Sequence, residues 1–339
     1  MSSTDLVSVA EAMVAEGKGI LAIDESSGTI KKRFKTINME STEENRRAYR
    51  EMLLTTPGLG EHISGAILYD ETIRQSTREG VSFVDVMKEA GILPGIKVDT
   101  GAHPMAGHPG EKVTEGLDGL RGRLEEYRSL GACFAKWRAV ITIGESIPTS
   151  SCVDANAHAL ARYAALCQEA GIVPIVEPEV LMDGTHSLDE SFEVTEATLR
   201  ALFNQLYDQN VLLEGTILKA SMVISGSEAQ NRANVEEVAE ATIQCLLNAV
   251  PAAVGGVVFL SGGQSDKEAT AHLNAMNQLG DFPWPLSFSY GRALQSPSLK
   301  VWGENPAANV AAAQKQLAHR ARMNGLAALG QYEESLETA

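Results

Sequence analysis

Lys219 closes the apolar run Leu213-Glu214-Gly215-Thr216-Ile217-Leu218-Lys219. An ammonium group at the end of a buried strand has lost its water, so it must pair with an acid or give up its proton. As a free amine it is a nucleophile toward carbonyl carbon. A lysine whose stem lies along apolar surface while its head returns to water fits the same position. The neighbouring motifs weigh against that simpler reading. Lys136 and Arg138 stand two apart in Phe134-Ala135-Lys136-Trp137-Arg138, and Glu177 and Glu179 two apart in Val173-Pro174-Ile175-Val176-Glu177-Pro178-Glu179. Side chains two apart on a strand share a face, so each pair points one way. Asp24, Asp70, and Lys97 with Asp99 end apolar runs in the same manner.

Two lysines with two glutamates suit imine chemistry. Lys219 can add to a ketone to give a carbinolamine and then an iminium, an electron sink that permits cleavage of the adjacent carbon–carbon bond. Losing water from the carbinolamine needs proton shuttling, which a paired carboxylate supplies. A second ammonium nearby favours the free amine, and Lys136 is the candidate. The departing hydroxyl needs a base, and Asp24 can serve. A different element follows in Leu260-Ser261-Gly262-Gly263-Gln264-Ser265 and Ser289-Tyr290-Gly291-Arg292. Backbone N–H groups at a glycine-rich helix start favour phosphate, and Arg292 adds a guanidinium. Glycines at such a turn also have a purely conformational use.

The elements that must position these groups alternate. Short β-rich segments occur at 20–24, 64–70, 95–99, 134–140, 173–179, 215–221, 256–262 and 286–291. Between them lie helical patterns. Ser41-Thr42-Glu43-Glu44 resembles a capping box. Leu117, Leu120, Leu124 and Tyr127 form one helical stripe, as do Leu160, Tyr163, Ala164 and Cys167, ending at Gly171, and Val235, Val238, Thr242, Leu246 and Val250. Eight strands separated by helices predict an α/β fold, a single (β/α)8 TIM barrel with the active site at the carboxyl rim of the strands. A doubly wound sheet is the alternative, but it carries a glycine-rich loop after its first strand, where this chain has Asp24-Glu25-Ser26-Ser27-Gly28. Residues 1–339 read as one domain, with 331–339 a short acidic tail.

Composition bounds the rest. The chain has 339 residues and a formal charge of −16, which argues against nucleic acid as the main partner. An anionic small molecule remains compatible, because a local basic pocket acts at short range. No apolar run is long enough to span a membrane, and Met1-Ser2-Ser3-Thr4-Asp5 lacks the features of a secretory signal. Cys133, Cys152, Cys167 and Cys245 show no paired or metal-type spacing and fit a reducing compartment. His103 and His108 share a glycine-rich loop and read as surface residues rather than metal ligands.

The motifs above, with Gly19-Ile20-Leu21-Ala22-Ile23-Asp24-Glu25-Ser26, Gly95-Ile96-Lys97-Val98-Asp99 and Phe288-Ser289-Tyr290-Gly291-Arg292-Ala293-Leu294-Gln295, resemble those of the class I, Schiff-base fructose-bisphosphate aldolases. The resemblance runs from about Gly17 to about Gly330. It implies reversible cleavage of fructose 1,6-bisphosphate to dihydroxyacetone phosphate and glyceraldehyde 3-phosphate, a glycolytic and gluconeogenic lyase reaction without a metal cofactor, in a cytoplasmic homotetramer. It implies Lys219 as the Schiff-base lysine and Glu177 as acid/base in dehydration, assisted by Glu179 and Lys136, with Asp24 handling the hydroxyl proton. It implies Ser261, Gly262, Gly263, Ser289, Gly291 and Arg292 at the C1 phosphate. Lys97, Ser26 and Arg33 would meet the far phosphate, with Arg138 near it. Animal members deliver a terminal tyrosine for proton exchange. This chain ends Ser335-Leu336-Glu337-Thr338-Ala339 with Tyr332 nearest, so a rim acid or water is expected in that role. A transaldolase-like transferase and a catalytically silent barrel are the alternative readings. The first needs no second phosphate cluster, and the intact Lys219, Glu177, Lys136 and Asp24 speak against the second.

Overall fold

Runs of β-branched and aliphatic residues pair side by side in parallel until the sheet closes on itself. The computed structural model describes residues 3–338. Its strands are β1 (Gly19–Ala22), β2 (Ile63–Leu68), β3 (Leu93–Lys97), β4 (Gly101–Pro104), β5 (Lys112–Glu115), β6 (Phe134–Ile141), β7 (Val173–Val180), β8 (Ile217–Ala220), β9 (Gly256–Phe259) and β10 (Leu286–Tyr290). Eight of them form the ring β1-β10-β9-β8-β7-β6-β3-β2, and β4 and β5 make a separate antiparallel hairpin. The helix α1 (Ser3–Met13) precedes β1. Then α2 (Ser27–Lys35) and α3 (Glu43–Leu54) lead to β2, and α4 (Asp70–Ile73) and α5 (Phe83–Glu89) to β3. The hairpin and α6 (Leu120–Ser129) lead to β6. One helix each follows the next four strands: α7 (Ser150–Glu169), α8 (Leu188–Asp208), α9 (Val235–Ala249) and α10 (Asp266–Gln278). The chain finishes with α11 (Arg292–Glu304) and α12 (Val310–Ala328). This is the (β/α)8 barrel that the alternation predicts, with every barrel strand overlapping its expected segment.

Two apolar layers hold it. The outer one packs helices on the ring and includes the expected stripes: Leu120, Leu124 and Tyr127, then Leu160, Tyr163 and Cys167, then Val238 and Leu246. The inner one fills the barrel with Ile20, Ala22, Ile67, Phe134, Val173, Ile175, Ile217 and Val258. Leu6, Ala10, Met13 and Val14 join this inner cluster, so α1 seals the amino-terminal mouth. The Phe134 ring occupies the space over Gly65 and Gly95; a Cβ on Gly95 would stand 2.2 Å from it.

Some details depart from expectation. The sequence pattern signals neither α1 nor the β4–β5 hairpin. The α3 cap is Thr42 rather than Ser41, and its hydroxyl accepts from the Asn45 N–H, so no capping box forms. His103 lies on β4 and His108 in the hairpin turn, so their stretch is not a plain loop. All four cysteines are free thiols. The acidic tail folds back. Tyr332 N–H donates to Asn274 Oδ1 (2.9 Å), its hydroxyl to Glu337 (3.1 Å), and Glu337 pairs with the buried Arg320. Among the described residues no helix is long and apolar enough to cross a membrane.

Candidate active site

Strand parity delivers the site. On five strands an inward-facing residue is followed two positions later by a polar one toward the carboxyl rim: Ala22 by Asp24, Gly95 by Lys97, Phe134 by Lys136, Ile175 by Glu177, Ile217 by Lys219. Parallel register then brings neighbours level, with Lys97 opposite Lys136 and Arg138 opposite Glu177. Asp24, Glu177, Glu179, Lys136, Arg138, Lys97, Lys219, Ser26, Arg33, Ser261, Gly262, Ser289, Gly291 and Arg292 all line one cleft. Gly263 borders it: a Cβ there would lie 3.7 Å from Arg292 Nη2. Asp70 does not join them. Gly65 and Ile67 face inward on β2, so Asp70 falls on the opposite parity and binds Arg74 and Tyr127 in the helical layer (both 2.9 Å).

At the floor, Glu177 stands between two lysines. Its Oε1 is 3.0 Å from Lys219 Nζ and its Oε2 3.2 Å from Lys136 Nζ, which also pairs with Asp24 at 2.7 Å. Lys219, Lys136 and Glu177 are each at most 5 % exposed, so these charges interact through little water. Burial pushes Asp24 up, but Lys136 and Lys219 more than offset it and hold the carboxyl well below its usual range. Glu177 follows the same logic: burial raises it, and Lys136, Lys219 and Arg138 together bring it below the ordinary glutamate value. For Lys136, burial works against the charge, but Asp24 and Glu177 keep it an ammonium far above neutral pH. Glu177 Oε2 is held by Lys136 only as an ion pair, outside hydrogen-bond geometry, so this buried carboxylate oxygen keeps capacity to exchange a proton.

The rest of the lining is cationic but mostly paired. Lys97 binds Asp99 (2.7 Å), Arg138 binds Glu179, and Arg33 binds Glu25. Arg292, exposed on the first turn of α11, makes no ion pair among the described residues. Near it the Ser289 hydroxyl is buried without a partner. Gly262 and Gly263 both take positive φ, +53° and +104°, a path open to glycine that turns successive N–H groups into a concave cradle. An unpaired guanidinium, an unsatisfied hydroxyl and such a turn together fit a phosphoryl group.

Glu25 is the lining residue that the sequence pattern leaves without a role. It follows Asp24 on the opposite parity and is buried. Besides Arg33 it accepts from Arg50 Nη2 (2.7 Å) and Gln295 Nε2 (2.9 Å), which fixes Arg33 beside Gly291. Its position directly after a rim aspartate and before the α2 cap Ser26 is the local signal that could have marked it. Asp99 and the hairpin residues Gly101 and Ala102 also line the cleft.

A parallel barrel with buried amines against carboxylates at its rim, and an anion cradle beside them, belongs to the class of lysine-centred barrel enzymes. The model of the family described as fructose-bisphosphate aldolase class-I matches residues 5–339. A probable fructose-bisphosphate aldolase class 1 from Xanthomonas campestris pv. campestris is 66% identical, over 98% of this chain and 100% of the relative. The cytosolic fructose-bisphosphate aldolase 4 of Arabidopsis thaliana is 54% identical, over 97% and 84% respectively. Among solved structures, the Plasmodium falciparum fructose-bisphosphate aldolase, crystallised with TRAP and a small-molecule inhibitor, superposes with a TM-score of 0.96 at 47% identity, covering 97% of this chain and 95% of that one. The chain belongs to the class-I fructose-bisphosphate aldolase family.

Proposed function

We propose that the protein cleaves fructose 1,6-bisphosphate reversibly to dihydroxyacetone phosphate and glyceraldehyde 3-phosphate, with Lys219 as the nucleophile. The observation that carries the mechanism is the Glu177 carboxylate held between Lys219 and Lys136. Lys219 adds to the ketone carbon. Glu177 moves the protons needed to expel water and leave the iminium, while Lys136 and Glu179 hold the local charge. Asp24, kept ionised by the lysines, takes the hydroxyl proton as the carbon–carbon bond breaks and its electrons enter the iminium. The aldehyde product leaves, a proton from a rim acid or water returns to the enamine carbon, and hydrolysis frees the amine. Ser261, Gly262, Gly263, Ser289, Gly291 and Arg292 hold the C1 phosphate. Lys97, Ser26 and Arg33 serve the far phosphate, with Arg138 near it. The same reading takes residues 1–339 as one domain and the protein as a cytoplasmic homotetramer. Relatives named cytosolic and cytoplasmic support its location, and family resemblance alone supports the tetramer.

The test is reductive trapping. Protein incubated with dihydroxyacetone phosphate and borohydride is expected to carry one adduct, on Lys219, by peptide mass spectrometry. Lys219→Ala should abolish both adduct and cleavage while keeping the native circular dichroism, because a rim lysine does not pack the core. Cleavage that proceeds with Lys219 unmodified would overturn the mechanism.

A further inference from the structure

The turn from β9 into α10 poses a mechanical problem. Two consecutive glycines with positive φ give it freedom, yet a backbone anion cradle works only when its N–H groups are already aimed. On the helix side the aim is set by Ser265, whose hydroxyl caps the Glu268 N–H (3.1 Å) while Glu268 returns a bond to the Ser265 N–H (3.3 Å). Between that cap and the two glycines the anchor is Gln264. Its N–H closes the turn onto Ser261 O (2.8 Å), and its side chain is buried. Gln264 Oε1 lies 2.6 Å from Nδ1 of His272, on the second turn of α10 and 2 % exposed. Gln264 Nε2 donates to Met222 Sδ at 3.5 Å, three residues beyond Lys219 on the chain leaving β8. The chemistry fixes this orientation. A thioether only accepts, so the amide nitrogen must face Met222, the amide oxygen must face His272, and Nδ1 must carry the hydrogen. Burial holds His272 down to about 4, so it is neutral at neutral pH. Neither Gln264 nor His272 lines the cleft.

We propose that Gln264, locked by the Nδ1–H of His272, is a positioning residue that presets the Ser261-Gly262-Gly263 turn for a phosphoryl group. This rests on the phosphate role given above to that turn and to Arg292. Losing the His272 donor leaves the Gln264 oxygen buried and unsatisfied, which frees the amide to turn and the glycines to relax. The consequence is weaker binding of phosphate rather than slower chemistry, because Lys219, Glu177, Lys136 and Asp24 keep their contacts.

The experiment measures kcat and KM for fructose 1,6-bisphosphate and the inhibition constant of inorganic phosphate. His272→Leu is expected to raise KM and the phosphate constant about tenfold each, with kcat within about twofold of the parent. His272→Asn, whose amide nitrogen can stand where Nδ1 stood, should restore both constants. Gln264→Met removes the amide while keeping its length, and should weaken phosphate by a similar factor even if His272→Leu does not fold. Unchanged constants in Gln264→Met, or no restoration by a folded His272→Asn, would overturn the proposal. Arg292→Ala keeps the two ideas apart. If it fails to weaken phosphate, the phosphate site itself is misplaced; if it weakens phosphate while Gln264→Met does not, only the positioning role falls.

Discussion

Asp24 is ionised only because of its company. Burial is the largest single influence on it and favours the neutral acid; Lys136, 2.7 Å away, is the main opposing charge, followed by Lys219. Lys136→Met therefore removes the chief counterweight and leaves burial to dominate. The expected result is an Asp24 carboxyl that titrates at markedly higher pH, with kcat lowered about 100-fold or more, since a protonated aspartic acid cannot accept the hydroxyl proton. Infrared titration of the carboxylates, with Asp24→Asn to assign the band, reads the shift directly. An Asp24 that stays ionised to the same low pH in Lys136→Met would show that Lys136 does not set its charge.

Strands and glycines set where such residues can stand. Gly95 is level with Phe134 across the β3–β6 pair, and the Phe134 ring fills the barrel over it. Gly95→Ala puts a methyl 2.2 Å from a rigid buried ring, so Phe134 or β3 must move, at a cost of about 1–3 kcal/mol. Phe134→Leu makes room, so the double variant should recover much of the loss in thermal unfolding; simple additivity of the two losses would refute the steric account. The same parity explains what the sequence discloses. Lys97, Lys136, Glu177 and Lys219 each lie on a regular strand two positions beyond an inward-facing residue, and counting by twos is enough to aim them. Asp70 follows an apolar run just as plainly, yet one residue of parity sends it to Tyr127, and no pattern of charges reveals that. Glu25 escapes notice because its value lies in contacts with Arg50 and Gln295, 25 and 270 positions away. The helix α1 is equally hidden, because its apolar residues are matched by a barrel mouth that exists only after the ring closes.

For the whole molecule, charge is distributed against its average. A chain of net −16 gathers six cationic side chains against five carboxylates in one cleft, which is how an acidic protein can admit a polyanion at short range. The histidines tell a second story, about proton uptake. Burial lowers His62, His186 and His272, the last to about 4, so the folded molecule refuses protons that the unfolded chain accepts. For His272 the sign follows from that difference. Above about pH 6.5 both states are neutral there and the residue adds no pH dependence. As pH falls from 6.5 toward 4 only the unfolded chain binds the proton, so stability drops, by about 1.4 kcal/mol per unit and about 3 kcal/mol in all. Glu268 and Glu236 favour protonation and Arg232 opposes it, but none reverses the effect of burial. Asp24 and Glu177 act in the same direction but in a lower window. Their stabilising contribution is complete well above the unfolded carboxylate values near 4 and is lost as pH falls from there through their lower folded values, so most of their effect lies below pH 4.5 and is common to parent and variant. Comparing urea unfolding of the parent and His272→Asn at pH 7 and pH 4.5 isolates the residue. The parent should lose about 2–3 kcal/mol more than the variant over that interval, and equal losses would mean that His272 titrates normally inside the fold.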